Sequence, residues 1–129
     1  MSTNSSIAVL CDDGSIIQVF CHWDGSVEHN GRLLFENYNN RALAEELAMK
    51  GDLFSLGATL DKCRFQDALG FTGYNHFENY ESYYETSLEA DFNQEFNYYF
   101  DEHGIWNVRE KDNNHFYWLE WQLITEGDK

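Results

Sequence analysis

At 129 residues, with 43% hydrophobic and 17% aromatic side chains, the chain carries enough apolar surface for one domain with a real core, which excludes a disordered polymer despite its charge. Asp and Glu number 23 against 8 Lys and Arg, a formal net charge of -15, and such a field excludes direct nucleic-acid or anionic-membrane binding while favouring basic proteins or cations as partners. Proline is absent, which argues against Pro-rich linkers and a hinged two-domain design, so a single domain over residues 1–129 is expected.

The opening residues, MSTNSSIAVL, lack a basic n-region and a long apolar run, and no 18-residue apolar stretch occurs, so a cytoplasmic protein is expected. Residues 6–11 and 16–22 read as β-strands around Asp12-Asp13-Gly14-Ser15, and Asp-Gly between such runs signals a hairpin. With Asp13 and Gly14 as central turn residues, Leu10 faces Ile17, Ala8 faces Val19 and Ser6 faces Cys21. That register predicts a core face of Ala8, Leu10, Ile17, Val19 and Cys21, and pairs Cys11 with Ile16 rather than with Cys21. Three cysteines without CxxC spacing, Cys11, Cys21 and Cys63, indicate neither a disulfide framework nor a structural zinc site.

Beyond Gly31 the apolar period lengthens, and Leu33, Leu34 and Tyr38 predict a short helix over residues 30–38. Asn39 or Asn40 then caps a second helix over residues 41–50, with Leu43, Ala44, Leu47 and Ala48 as its apolar stripe. Arg41 with Glu45, and Glu46 with Lys50, form i,i+4 pairs, and Gly51 supplies the left-handed stop. Residues 51–57 read as a tight connection tucking Leu53, Phe54 and Leu56 under the domain, followed by a strand over residues 59–65. Residues 68–88 fit neither period and predict a loop with a short helix or an edge strand. Residues 97–101 and 105–109 flank Glu102-His103-Gly104 as a hairpin, and residues 115–124 read as a third strand, central and covered on both sides. The fold class expected is α+β, an antiparallel sheet built from N- and C-terminal hairpins with helices packed on one face.

Met1-Ser2-Thr3, the Cys21-His22-Trp23-Asp24-Gly25 run, Gly31, Leu33-Leu34, Asn37-Tyr38, Gly51-Asp52-Leu53 and Ser55-Leu56-Gly57 together resemble a family of small bacterial and phage proteins, over about residues 1–57. The chain departs from that pattern at Phe20, where the family usually has tyrosine, and in the loop Ser26-Val27-Glu28-His29. The resemblance carries no catalytic residue. It implies a compact domain encoded on mobile elements, an accessory role in phage–host conflict and, if phage-encoded, residence in the host cytoplasm.

Three candidate chemistries meet in residues 21–32. Cys21, His22 and Asp24 are the residue types of a nucleophilic hydrolase, although strand alternation should hold Cys21 and His22 apart. His22, Asp24 and His29 are possible metal ligands at permissive spacing, against the reading in which Trp23 anchors the loop in the core. His22, Trp23, Asp24 and Arg32, beside Gly25 and Gly31, form an alternative small-ligand site that would sequester a nucleotide signal.

The strongest signal lies further on. From Phe65 to Val108 there is no Lys or Arg, but there are nine acids: Asp67, Glu78, Glu81, Glu85, Glu89, Asp91, Glu95, Asp101 and Glu102. Interleaved aromatics, Tyr80, Tyr83 and Tyr84 among them, supply amphipathic contact area for an interface. The predicted interaction face is therefore Glu78, Tyr80, Glu81, Tyr83, Tyr84, Glu85, Glu89, Asp91 and Glu95. The expected function is inhibition of a basic nucleic-acid-binding host protein, an anti-restriction or anti-CRISPR role by nucleic-acid mimicry, without a cofactor. Small-ligand binding and a Cys- or metal-dependent hydrolase stand as alternatives, and the expected partners are a basic host protein and, in a homo-oligomer, a second copy of the chain.

Overall fold

The computed structural model describes residues 3–66 and 73–127. Strands β1 (Ser5–Leu10) and β2 (Ile16–Cys21) pair antiparallel, but their register is one residue away from the expectation: Val9 faces Ile17, Ile7 faces Val19 and Ser5 faces Cys21. The cause is the turn. Cys11 N–H donates to the Ser15 carbonyl (2.8 Å) and Gly14 N–H to the Cys11 carbonyl (3.0 Å), with Gly14 at φ 87°. Asp12-Asp13-Gly14 is thus a three-residue loop whose glycine takes the left-handed third position, not a two-residue turn. A one-residue slip exchanges faces, so the core face is Ile7, Val9, Ile17, Val19 and Cys21, whereas Ala8 and Ile16 lie on the opposite face.

Strands β6 (Phe96–Phe100) and β7 (Trp106–Glu110) form the expected second hairpin around the same kind of turn. Asp101 N–H donates to the Ile105 carbonyl (3.0 Å), Gly104 N–H to the Asp101 carbonyl (3.1 Å), and Gly104 has φ 72°. The hairpins join through a parallel pairing of β1 with β6, so the α+β fold is built on a mixed sheet rather than a purely antiparallel one. Adding β3 (Leu53–Ser55), β4 (Arg64–Phe65) and β8 (Tyr117–Trp118) gives the order β4-β3-β2-β1-β6-β7-β8. Strand β5 (Asn75–Phe77) pairs with the Ile16–Gln18 end of β2.

One turn of π-helix (Val27–Gly31) runs into helix α1 (Arg32–Asn37), followed by α2 (Arg41–Met49). Asn40 caps α2 by accepting from Leu43 N–H, and Gly51, at φ 96°, ends the turn after it, both as the sequence predicts. Leu43 is exposed, so the buried stripe is Ala44, Leu47 and Ala48. Arg41 does not turn to Glu45. It reaches Asp12 (3.7 Å) and the carbonyls of Leu10, Asp101 and Glu102, tying α2 to both hairpin ends.

The expected strand over residues 59–65 contracts to β4, preceded by a 3-10 turn at Leu60–Lys62. Part of the ambiguous 68–88 stretch, residues 68–72, lies outside the described residues; the remainder supplies both an edge strand, β5, and a helix, α3 (Tyr80–Ser87). The expected strand over residues 115–124 is corrected: only β8 is extended, and α4 (Leu119–Gly127) follows it. Leu119 and Leu123, four residues apart, are buried, while Trp118 and Trp121 are 64% and 62% exposed. Large side chains at every position hid the helical period behind an apparent alternation, and the segment sits at a sheet edge rather than its centre.

The main core lies on one face of the sheet, where Leu34 and Tyr38 of the first helical segment, Leu47 of α2 and Leu119 of α4 meet Ile7, Val19 and Trp106. Helix α3 covers the other face, on which Tyr83 packs with Ala8, Ile16 and Tyr99. Helices therefore sit on both faces, because Tyr83 supplies an apolar anchor that the sequence pattern does not reveal. No helix among the described residues is long and apolar enough to cross a membrane.

Candidate protein-interaction face

The face predicted from the acidic stretch is organised by α3. Asn79 caps it, its side chain accepting from Ser82 N–H at 2.9 Å, and Glu81 in the first turn complements the positive end of the helix. Glu78, Glu81, Glu85, Glu89, Asp91 and Glu95 are all exposed. Glu81 and Glu85 are four residues apart, about 6 Å along the helix axis, and so share one side of it. Tyr80 is 40% exposed, whereas Tyr83 is buried to 1% and anchors the helix instead of offering contact area. Tyr84 is half-buried and its hydroxyl donates to the Asn114 carbonyl.

Beneath α3 the sheet carries buried polar residues. Ser6 Oγ donates to Asn97 Oδ1 (2.8 Å), and Arg109 is fully buried without a carboxylate partner among the described residues. Its guanidinium donates to Asn113 O (3.0 Å), Ser87 O (3.2 Å) and Asn93 Oδ1 (3.2 Å) and lies 5.7 Å from the centre of the Phe116 ring. A cation on the last carbonyl of α3 complements the negative end of that helix. Burial lowers the Arg109 pKa from its ordinary value. Sequence reasoning missed this residue. Alternation separates Asn107 and Arg109 from Trp106 and Val108, and the face so defined looks solvated until α3 closes over it.

A cleft of about 380 Å³ opens where the start of α3 meets the β6–β7 turn, lined by Tyr80, Tyr99 and Phe116 with Asp101, Glu102 and Asn107. Burial, followed by neighbouring Tyr84, raises the Tyr80 phenol pKa. Burial also raises that of Tyr99, with Tyr80, Asp101 and Glu102 adding to the shift.

The residues 21–32 assemble differently from any of the three candidate chemistries. Cys21 is buried, and burial pushes its thiol up to about 11, the reverse of what an activated nucleophile requires. His22 Nε2 lies 2.9 Å from Gln66 Oε1, and the His22 ring packs on Phe54. Neither contact orients it toward Cys21. His29 Nδ1 lies 2.9 Å from Asn30 Oδ1, and no group of three metal-capable side chains occurs among the described residues. Cys21, His22 and His29 thus each meet a different partner.

Trp23 does not anchor the loop in the core: it is 38% exposed, stacked on Phe54 (5.4 Å, 30°) and covered by Arg64 at 5.4 Å. Arg32 pairs with Glu36 (3.7 Å) on the exposed side of α1, so Trp23 and Arg32 serve different neighbours. Asp24 takes the left-handed conformation (φ 57°) that aspartate tolerates in turns.

What holds this loop is Asn30, Gly25 and Tyr98. Asn30 Nδ2 lies within 3.4 Å of Ser5 Oγ and Cys21 Sγ and donates to the Trp23 carbonyl (3.2 Å). Tyr98 donates its hydroxyl to the Gly25 carbonyl at 2.6 Å, and Gly25 N–H donates to the Thr3 carbonyl at 2.9 Å. A Cβ on Gly25 would fall 2.7 Å from Ser5 Cβ and 2.8 Å from Thr3 O, which explains the glycine by close approach. The loop is a clasp between the first hairpin, the helices and β6.

No family model, no curated protein and no solved structure matches the chain.

Proposed function

We propose that this chain is a non-enzymatic acidic accessory protein of phage or mobile-element type. It would inhibit a basic, nucleic-acid-binding host protein, such as a restriction or CRISPR component, by occupying the groove that binds nucleic acid. The observation that carries this reading is the acidic stretch between Phe65 and Val108, which contains no Lys or Arg and exposes Glu78, Glu81 and Glu85 at or beside α3 and Glu89, Asp91 and Glu95 in the segment that leads from it to β6. Uncompensated carboxylates repel one another, and a complementary basic groove relieves that repulsion on binding. Association driven in this way is fast and salt-sensitive.

Cys21 is buried, and Asn30, Gly25 and Tyr98 hold the loop that follows it. Replacing Glu78, Glu81, Glu85 and Glu89 together by lysine tests the proposal, with inhibition of DNA binding by restriction and CRISPR complexes as the readout. All four positions are exposed, so the fold should survive and inhibition should be lost. Retained inhibition by the folded variant would refute the mimicry.

A further inference from the structure

Tyr80, Tyr84, Phe116 and Tyr99 form a closed circuit of rings. Successive centroids lie 5.9 Å (Tyr80–Tyr84), 6.5 Å (Tyr84–Phe116), 5.8 Å (Phe116–Tyr99) and 5.2 Å (Tyr99–Tyr80) apart. Three of these rings line the 380 Å³ cleft, a size within the range of sites that hold small molecules or single side chains. Aromatic faces are negative and attract cations.

Carboxylates complete the lining. Asp101 Oδ1 accepts from the N–H groups of His103 (2.9 Å) and Ile105 (3.1 Å), and its Oδ2 accepts from Asn107 Nδ2 (2.9 Å). Three neutral donors fix that carboxylate without cancelling its charge, and no ion pair forms on it among the described residues. Glu102 meets the exposed His103 at 3.5 Å. The two guanidiniums near the cleft are engaged: Arg41 with the carbonyls of Leu10, Asp101 and Glu102, and Arg109 behind Phe116 with carbonyls of its own. Asp101 and Glu102 both act on Tyr99 in the direction of a negative neighbourhood, adding to the rise that burial causes in its phenol. The chain already uses this contact internally, since three of its four arginines, Arg41, Arg64 and Arg109, lie over aromatic rings.

We infer that the cleft bounded by Tyr80, Tyr99 and Phe116 receives an arginine side chain of the basic partner, its guanidinium lying against the rings and facing Asp101 and Glu102. This rests on the partner reading above and names the group that the partner inserts. Arginine fits better than lysine because its planar guanidinium stacks on ring faces while its donors fork toward carboxylates. The inserted side chain would fix the register of an otherwise diffuse electrostatic contact, as a desolvated anchor does in a protein interface.

The test is titration of the full chain with N-acetyl-L-arginine methylamide, followed by NMR of the aromatic rings, with the citrulline analogue as an uncharged isostere. Saturable shifts at Tyr80, Tyr99 and Phe116 are expected with the arginine probe, and binding at least about fivefold weaker with the citrulline probe. Tyr80→Ala should weaken the arginine probe by about fivefold, whereas Tyr80→Phe, which keeps the ring, should retain it. Tyr80→Phe should keep the wild-type melting temperature, while Tyr80→Ala, which removes a ring packed on Tyr83, Tyr84 and Tyr99, should lower it and is read only at temperatures where circular dichroism shows it folded. Absence of saturable shifts, equal binding of citrulline, or an unaffected Tyr80→Ala would overturn the inference. The two proposals separate cleanly. Loss of partner binding on charge reversal of Glu81 and Glu85, in a protein that ignores the arginine probe, rejects the cleft and keeps the acidic face. Saturable arginine binding by a protein that fails to displace nucleic acid keeps the cleft as a guanidinium site and rejects mimicry.

Discussion

Tyr98→Phe isolates one bond that fastens the clasp. The Tyr98 hydroxyl is buried and donates to the Gly25 carbonyl at 2.6 Å, joining β6 to a loop 73 positions earlier in the chain. The substitution removes one oxygen and leaves the ring, so no cavity of consequence opens. A neutral hydrogen bond contributes about 1 kcal/mol net, and a buried carbonyl left without its donor raises the cost toward about 2 kcal/mol. For a chain of this length that corresponds to a fall in melting temperature of roughly 4–8 °C. Urea denaturation should show a lower midpoint at unchanged m-value, because the folded and unfolded surfaces stay the same. Amide exchange at Trp23 and Gly25 should quicken selectively, since Asn30 still holds the rest of the loop. A loss below about 0.3 kcal/mol, or an unchanged exchange rate at those amides, would refute the role given to this bond.

Gly25→Ala should destabilise by about 1–3 kcal/mol in the same denaturation assay, because the added methyl meets Ser5 Cβ and the Thr3 carbonyl at 2.7 and 2.8 Å. Burial raises the thiols of Cys11 and Cys21 from 9.0 to about 11 and raises the phenols of Tyr38, Tyr83, Tyr98 and Tyr99. In the unfolded chain these groups lose protons first as pH rises, so the unfolded state binds fewer protons and stability falls. The loss should begin near pH 9, with the cysteines, and steepen above about pH 10, where unfolded tyrosines ionise. Denaturation midpoints measured from pH 7 to 11 check this, and a flat profile would contradict it. Cys21 should resist alkylation by iodoacetamide in the native protein and react once it is unfolded in urea, and Cys21→Ala should leave partner binding intact.

Local signals carried much of the fold and little of the site. Asn40, Gly51, Gly104 and the alternating β6 and β7 are legible because caps, turns and strand period act within a few residues. The first hairpin was legible as a hairpin but not in register, since Asp13-Gly14 suits both a two-residue and a three-residue loop, and only the bond from Cys11 N–H to Ser15 distinguishes them. The 115–124 segment deceived for a different reason. Its heavy aromatic content imitates a strand covered on both faces, while the helix is set by just two buried positions, Leu119 and Leu123.

The acidic residues around α3 were readable because charge is a property of composition. The buried Arg109, the ring circuit closed by Phe116 and the clasp residues Asn30 and Tyr98 were not, because each is defined by partners distant in sequence. The glycines at 25 and 31 gain a reason only in three dimensions. A Cβ at Gly31 would lie 3.0 Å from a methyl of Leu119 and 3.3 Å from the Tyr98 hydroxyl. Packing of that kind leaves no trace in the neighbouring residues.

The central claim is exclusion of nucleic acid from a basic partner, and the direct measurement is a competition with both components present. Fluorescence anisotropy of a labelled DNA bound to a restriction or CRISPR complex should fall to the free-DNA value as this protein is titrated in. The midpoint should weaken as salt rises from about 50 to 200 mM, since carboxylates are replacing phosphates. Formation of a ternary complex in which the DNA stays bound, or a midpoint indifferent to salt, would contradict the account.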